Sequence, residues 1–249
     1  MTTENATLEG YIAVNAALYT ASRPFHALYI DQAKRYDRHL KALAKRATAK
    51  DIPVSYIDAV ELNQYAQGNT HGGIVALVGA RRFSTLEDLR SLADTPFIVM
   101  LDGIEDPYNF GYTVRALYAA GVDGVVVRPR NWTTAASVVG RASAGASERM
   151  PMAIAETAQI AADFFREHAF TIATTAHHDR SVSLFDARLT GKLFLLIGGE
   201  KRGITRSFLN QADLIITIPY ARPDFQQSLG TVSAASALVF EAMRQRHQE

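Results

Sequence analysis

The sequence predicts an α/β protein whose C-terminal part is a mostly parallel sheet covered by helices, preceded by a smaller α/β unit. Three observations carry this. From Pro96 onward short apolar runs alternate with segments of helical periodicity, the pattern of a sheet covered on both faces. Between the two parts the chain turns polar and charged, GARRFSTLEDLRSLADTP, which marks a linker. With 249 residues, 48% of them hydrophobic, the chain can bury a real core.

In the first part, Leu8 to Thr20 carries apolar residues at helical spacing, and FHALYI from Phe25 reads as a short buried strand. A helix is expected from Asp31 to Lys50, with Tyr36, Leu40, Leu43 and Ala47 as its apolar stripe. Lys34, Arg38, Lys41 and Lys45 recur on its opposite side and give the helix a basic face, although most such charge runs are solvated faces. VSYI reads as a strand, Ala59 to Gln67 as a short helix, and GIVALV from Gly73 as a further strand. Residues 1–79 thus form one unit and 80–95 the linker, in which Ser84 and Glu87 have the spacing of a capping box that starts a short helix.

Residues 96–249 form the second domain. Its expected order is the strand FIVML, a helix from Tyr112 to Ala120 stopped by Gly121, the strand GVVV and a helix across Thr133 to Ala144. A helix from Glu156 to His168 follows, then the strands FTIAT and LFLLI, a helix from Ile204 to Gln211, the strand LIITI and a last helix from about Thr231 to Arg246. The binding crevice of such a sheet lies at the carboxyl ends of its strands.

Composition excludes several classes. No run of eighteen apolar residues occurs and the start, MTTENATLEG, lacks the basic and apolar segments of a signal peptide, so no membrane association and a cytoplasmic location are expected. Without cysteine there are no disulfides and no thiolate metal sites. A net charge of +1 does not announce a nucleic-acid binder, so that reading rests on where the charges lie.

Three loops can carry chemistry. LDGIEDPYNFGYTVRALYAAG leaves a strand and enters a helix; Gly111 permits close approach of a ligand, and Arg115 can reach an anionic group. Taken alone, Asn109 is equally a helix cap and Arg115 a surface ion-pair partner, and Asp102, Glu105 and Asp106 form a weaker candidate metal site without a histidine. In IGGEKRGITRS, Gly198 and Gly199 bare backbone groups that can grip an adenosine, and Glu200 can hold a ribose or an incoming hydroxyl; a glycine-rich turn with a solvated acid is the plain alternative. The loop is neither a phosphate-binding Walker loop nor GxGxxG. The third segment, ITIPYARPDFQQSLGTVSAASALVFEAMRQR, runs through a loop into a helix whose small residues, Ser233 to Ala237, admit close backbone approach or simply pack.

Together these segments resemble the three motifs of the SpoU, or TrmH-like, RNA ribose methyltransferases: N-x-G-x-x-x-R, G-x-E-x-x-G, and S-L followed by small residues and F-E. SAGASERMP, from Ser143 to Pro151, resembles the family's S-x-G-A-x-E-x-x-P element, and the N-terminal unit is similar to its ribosomal-protein-like RNA-binding domain. The resemblance covers nearly the whole chain. It implies an α/β trefoil-knot methyltransferase domain, an exception to the rule that connections do not thread loops. It also implies S-adenosyl-L-methionine as cofactor, no metal requirement, a homodimer, and RNA as partner, ribosomal ahead of transfer RNA, with Lys34, Arg38, Lys41 and Lys45 as the expected contacts to the RNA backbone. Carried over by position, Gly198, Ile218 and Leu229 line the cofactor pocket, while Asn109, Arg115 and Glu200 match the catalytic positions. One departure stands out: Ser228, Leu229, Gly230, Thr231, Val232 and Ser233 occupy the place of S-L-N-V-S, so the asparagine is missing and Thr231 or Ser233 is left to substitute.

The implied reaction is methyl transfer to a ribose 2′-hydroxyl, with Arg115 clamping the neighbouring phosphate and Glu200 as general base or orienting acceptor. Two other classes remain: a catalytically impaired RNA-binding protein of the same fold, suggested by the altered third motif, and a nucleotide enzyme of the doubly wound class, which the missing GxGxxG disfavours.

Overall fold

A computed structural model of the chain describes residues 5–68, 70–129, 135–199, 203–225 and 227–248. In chain order the first elements are β1 (Ala6–Glu9), α1 (Tyr11–Thr20), β2 (Phe25–Asp31), α2 (Arg38–Thr48), β3 (Val54–Ile57), α3 (Ala59–Tyr65), β4 (Ile74–Val78) and α4 (Leu86–Arg90). Next come β5 (Phe97–Asp102), α5 (Pro107–Ala119), β6 (Gly124–Val127), α6 (Ala136–Ala142), α7 (Ala146–Arg149), β7 (Met152–Ile154) and α8 (Ala158–Glu167). The chain closes with β8 (Thr171–Thr175), β9 (Val182–Ser183), β10 (Leu193–Gly198), α9 (Arg206–Gln211), β11 (Leu214–Thr217) and α10 (Thr231–Arg246).

Contacts divide the chain into two compact units, residues 1–82 with 131–149, and residues 83–130 with 150–249. The sequence reading puts the whole of 96–249 in one domain, yet α6 and α7 pack with the first unit. Ala136 joins the core made by Leu8, Leu28, Ile30, Leu43 and Ile74. The first unit carries a four-stranded sheet ordered β1-β4-β2-β3, antiparallel except for the β2–β3 pair.

Ion pairs centred on two buried glutamates tie α6 and α7 into that unit. Glu148, on α7, accepts hydrogen bonds from Ser22 Oγ at 2.6 Å and Arg23 Nε at 3.0 Å, with Arg81 Nη1 at 3.5 Å. Burial alone would raise the Glu148 carboxyl, but Arg23 and Arg81 outweigh it and hold it below its ordinary value. Arg141, on α6, lies 3.3 Å from the fully buried Glu9 and donates to Thr70 Oγ1 at 2.7 Å.

Several expected elements shift for local reasons. Gly10, at φ 82°, breaks the apolar stretch from Leu8, so β1 precedes α1 where one helix was expected. The helix expected from Asp31 is split. Asp31 caps a 3-10 turn at Gln32–Lys34, and Asp37 accepts from His39 and Leu40 N–H to cap α2. Tyr36 therefore leaves the apolar stripe and is 76% exposed, while Leu40, Leu43 and Ala47 stay buried. The capping box of α4 forms one residue later than expected, between Thr85 and Asp88, and Glu87 pairs with Arg90 instead. β7 and β9, three and two residues long, were too short to be read from periodicity.

The second unit holds a seven-stranded, all-parallel sheet ordered β7-β6-β5-β10-β8-β11-β9. Phe165 of α8 stacks on Phe194 of β10 at 4.9 Å within a core that includes Ile98, Met100 and Leu196. The late strand β10 inserts between β5 and β8. Progression along the sheet therefore reverses beside β5, and such a reversal leaves a crevice at the strands' carboxyl ends.

Candidate functional site

That crevice is a cavity of about 670 Å³, within the range of small-molecule sites. Gly198 at the end of β10, Gly199 just after it, Ile218 after β11, and Leu229 before α10 all line it. Three segments separated in sequence thus meet around one space. The loop after β10 is pressed against the loop after β5: the Gly199 N–H donates to the Asp102 carbonyl at 2.6 Å. A Cβ on Gly198 would lie 2.8 Å from Ile204 Cδ1.

Sequence reasoning missed part of the lining. Tyr220 and Phe225 form a tilted ring pair at 5.6 Å, and the Tyr220 hydroxyl accepts from the Leu229 N–H at 3.1 Å, strapping the loop between β11 and α10. His177, just past β8, and Arg222 are the charge-capable side chains among the described lining residues. Neither has an ion pair or side-chain hydrogen bond among the described residues. The positions of His177 and Arg222 just beyond the carboxyl ends of β8 and β11 were the available signal.

At the altered third motif the two candidate hydroxyls lie in different surroundings. Gly230 is the N-cap of α10 and offers no side-chain cap. Of the two hydroxyls left to replace the asparagine, Thr231 is buried and lines the cavity, whereas Ser233 is exposed.

The remaining site residues are distributed differently. Asn109 and Arg115 sit on α5, half-buried and exposed respectively, and neither lines the cavity. The Asn109 N–H donates to Asp106 Oδ1 at 2.8 Å, which makes Asp106 the N-cap and Asn109 the third residue of the helix. Asp106 is engaged there and Asp102 faces Arg128 at 3.5 Å. No ion pair or hydrogen bond engages the Arg115 side chain among the described residues. Glu200 lies outside the described residues. Of the basic stripe, Arg38, Lys41 and Lys45 are exposed on α2, whereas Lys34 stands in the preceding 3-10 turn and donates to the Gly72 carbonyl at 3.0 Å.

Residues 96–240 match the SpoU rRNA Methylase family, and residues 7–84 match the family described as RNA 2'-O ribose methyltransferase substrate binding. The 23S rRNA (guanosine-2'-O-)-methyltransferase RlmB of Escherichia coli (strain K12) is 30% identical over 241 residues, covering 95% of this chain and 97% of that protein. The protein of the same name from Yersinia pestis is 31% identical over 241 residues, covering 95% and 96%. Among solved structures, the SpoU methyltransferase AviRb from Streptomyces viridochromogenes, in complex with AdoMet, has the same fold. Its TM-score is 0.79 at 21% identity, over 99% of this chain and 92% of that one. An AdoMet-bound rRNA methyltransferase from Sinorhizobium meliloti gives 0.78 at 23% identity, over 97% and 88%.

Proposed function

This chain belongs to the SpoU rRNA methylase family, and from that premise we propose that it transfers the methyl group of S-adenosylmethionine to a ribose 2′-hydroxyl of ribosomal RNA. A guanosine of 23S rRNA, the substrate printed in the names of its relatives, is the specific target. The observation that carries the reading is the convergence of Gly198, Gly199, Ile218 and Leu229 on one cavity.

The cavity suits the cofactor chemically. Apolar walls from Ile197, Ile218 and Leu229 match an adenine, exposed glycine backbone offers hydrogen bonds, and Arg222 supplies the countercharge for a carboxylate. The bound sulfonium supplies an electrophilic methyl group, and no metal is needed. Arg115 grips the phosphate beside the target ribose and stabilises the developing alkoxide; a guanidinium does not itself surrender a proton. Glu200 is the base or orienting acceptor for the hydroxyl proton. Asn109 orients the same region from the first turn of α5.

The working unit is a homodimer. Asn109 and Arg115 stand apart from the cavity within one chain, so a second copy is the natural source of the missing groups. Exposed Tyr108 and Tyr112 on α5 and Phe240 on α10, two helices that pack together, provide the apolar surface for it. No helix among the described residues is long and apolar enough to cross a membrane, and a ribosomal RNA substrate supports a cytoplasmic location for the enzyme.

The deciding experiment incubates protein, S-adenosylmethionine and 23S rRNA, then maps alkali-resistant linkages, since a 2′-O-methyl removes the nucleophile that cleaves RNA. One resistant linkage, absent without cofactor, is expected. Cofactor binding without any resistant linkage would instead favour an RNA-binding protein that has lost catalysis, the reading that Gly230 raises.

A further inference from the structure

We propose that Tyr36 is a stacking platform for an unpaired base of the RNA substrate, flanked by cations on α2 that hold the neighbouring phosphates; this rests on the RNA reading above. Tyr36 is 76% exposed, in the turn just before α2. The Arg35 Cζ lies 4.5 Å from its ring centroid, and the same guanidinium donates to the Tyr36 hydroxyl. Arg35 thus covers one face and fixes the ring, leaving the other face to solvent. A base laid there completes a guanidinium–phenol–base stack.

The charges beside it fit the same ligand. Arg38, Lys41 and Lys45 are exposed and have no side-chain ion pair or hydrogen bond among the described residues. Neighbouring cations are committed elsewhere: Lys34 to the Gly72 carbonyl, Lys50 to the Leu18 carbonyl and Arg46 to Asn15. The nearby acids are committed too, Asp31 and Asp37 accepting backbone N–H groups as caps. From Arg38 to Lys45 the helix rises about 10 Å, the length of about three stacked nucleotides. An apolar protein partner would leave three cations unmatched. A duplex hides its base faces, so the pairing of an open ring with free cations selects a single-stranded segment.

The test uses the full-length protein and measures its binding to a short oligouridylate and to an RNA duplex of the same length, across a salt series. Wild type is expected to prefer the single strand. Tyr36→Ala should weaken that binding roughly tenfold with its salt slope unchanged, Tyr36→Phe, which keeps the ring and loses only the hydrogen bond from Arg35, should retain most of it, and duplex binding should not move. Combined Arg38→Glu, Lys41→Glu and Lys45→Glu should flatten the salt slope. Full affinity in Tyr36→Ala beside loss in the charge-reversed protein overturns the platform and leaves RNA binding standing. Full affinity in both removes this surface from the RNA reading altogether. An equal loss on strand and duplex, with a changed slope, makes Tyr36 only a support for Arg35 and also overturns the proposal. Melting temperatures should stay level, since all four side chains are exposed.

Discussion

Gly199 and Gly103 meet backbone to backbone at the carboxyl ends of β10 and β5: a Cβ on Gly199 would lie 2.1 Å from the Gly103 carbonyl oxygen. No side chain fits there without moving one loop, and both loops frame the chemistry proposed for this site. Gly199→Ala should therefore lower affinity for S-adenosylhomocysteine at least roughly tenfold and lower the melting temperature as well, as calorimetry and thermal unfolding would register. Gly103→Ala should be milder. Its Cβ would meet Gly199 only at 3.6 Å, so the cost is chiefly the φ of 85°, about 1–2 kcal/mol. Equal, small effects from both would mean that the loops are not tightly apposed.

Glu148 compensates two buried guanidiniums, and removing it leaves Arg23 and Arg81 without their shared anion. Glu148→Ala should destabilise the first unit by about 3–5 kcal/mol in urea unfolding. The pH dependence follows in sign from a depressed carboxyl. The stabilisation is complete above the unfolded glutamate value of about 4.3 and is lost as pH falls through the lower folded value. Glu148→Gln should flatten stability against pH in that acidic window, and an unchanged slope would count against the buried pair.

Arg115 is exposed and off the cavity, so Arg115→Ala should leave melting temperature and S-adenosylhomocysteine affinity near wild type. Single-turnover methyl transfer should fall by roughly 10²–10³-fold, the scale for losing one transition-state donor. Lysine should restore only part, because it keeps charge but not the planar fork. Wild-type turnover in Arg115→Ala would remove the residue from the mechanism.

Arg222 is assigned to the cofactor's carboxylate, which 5′-methylthioadenosine lacks. Arg222→Ala should weaken S-adenosylhomocysteine roughly tenfold by calorimetry, the worth of one partly exposed charge-assisted hydrogen bond. Affinity for 5′-methylthioadenosine should not change. Parallel losses on both ligands would make Arg222 a structural part of the loop.

Fold class, most of the strands of the parallel sheet, the final helix from Thr231 to Arg246 and the family were legible in the residues alone. Those properties reside in runs of apolar residues and in short motifs, which are local and survive without neighbours. Local spacing also explains the errors: Gly10, Asp37 and Thr85 moved helix boundaries through single backbone or capping effects that periodicity does not register. Tertiary packing was needed to show that Thr231 rather than Ser233 lines the cavity, that His177, Tyr220 and Arg222 join its wall, and that Lys34 is committed to Gly72. It alone packed α6 and α7 onto the first unit through Glu148 and Arg141. Each of these depends on which segments are brought together across long stretches of chain. Such proximity is set by the order of strands in a sheet and the pairing of buried charges, and no local pattern encodes it.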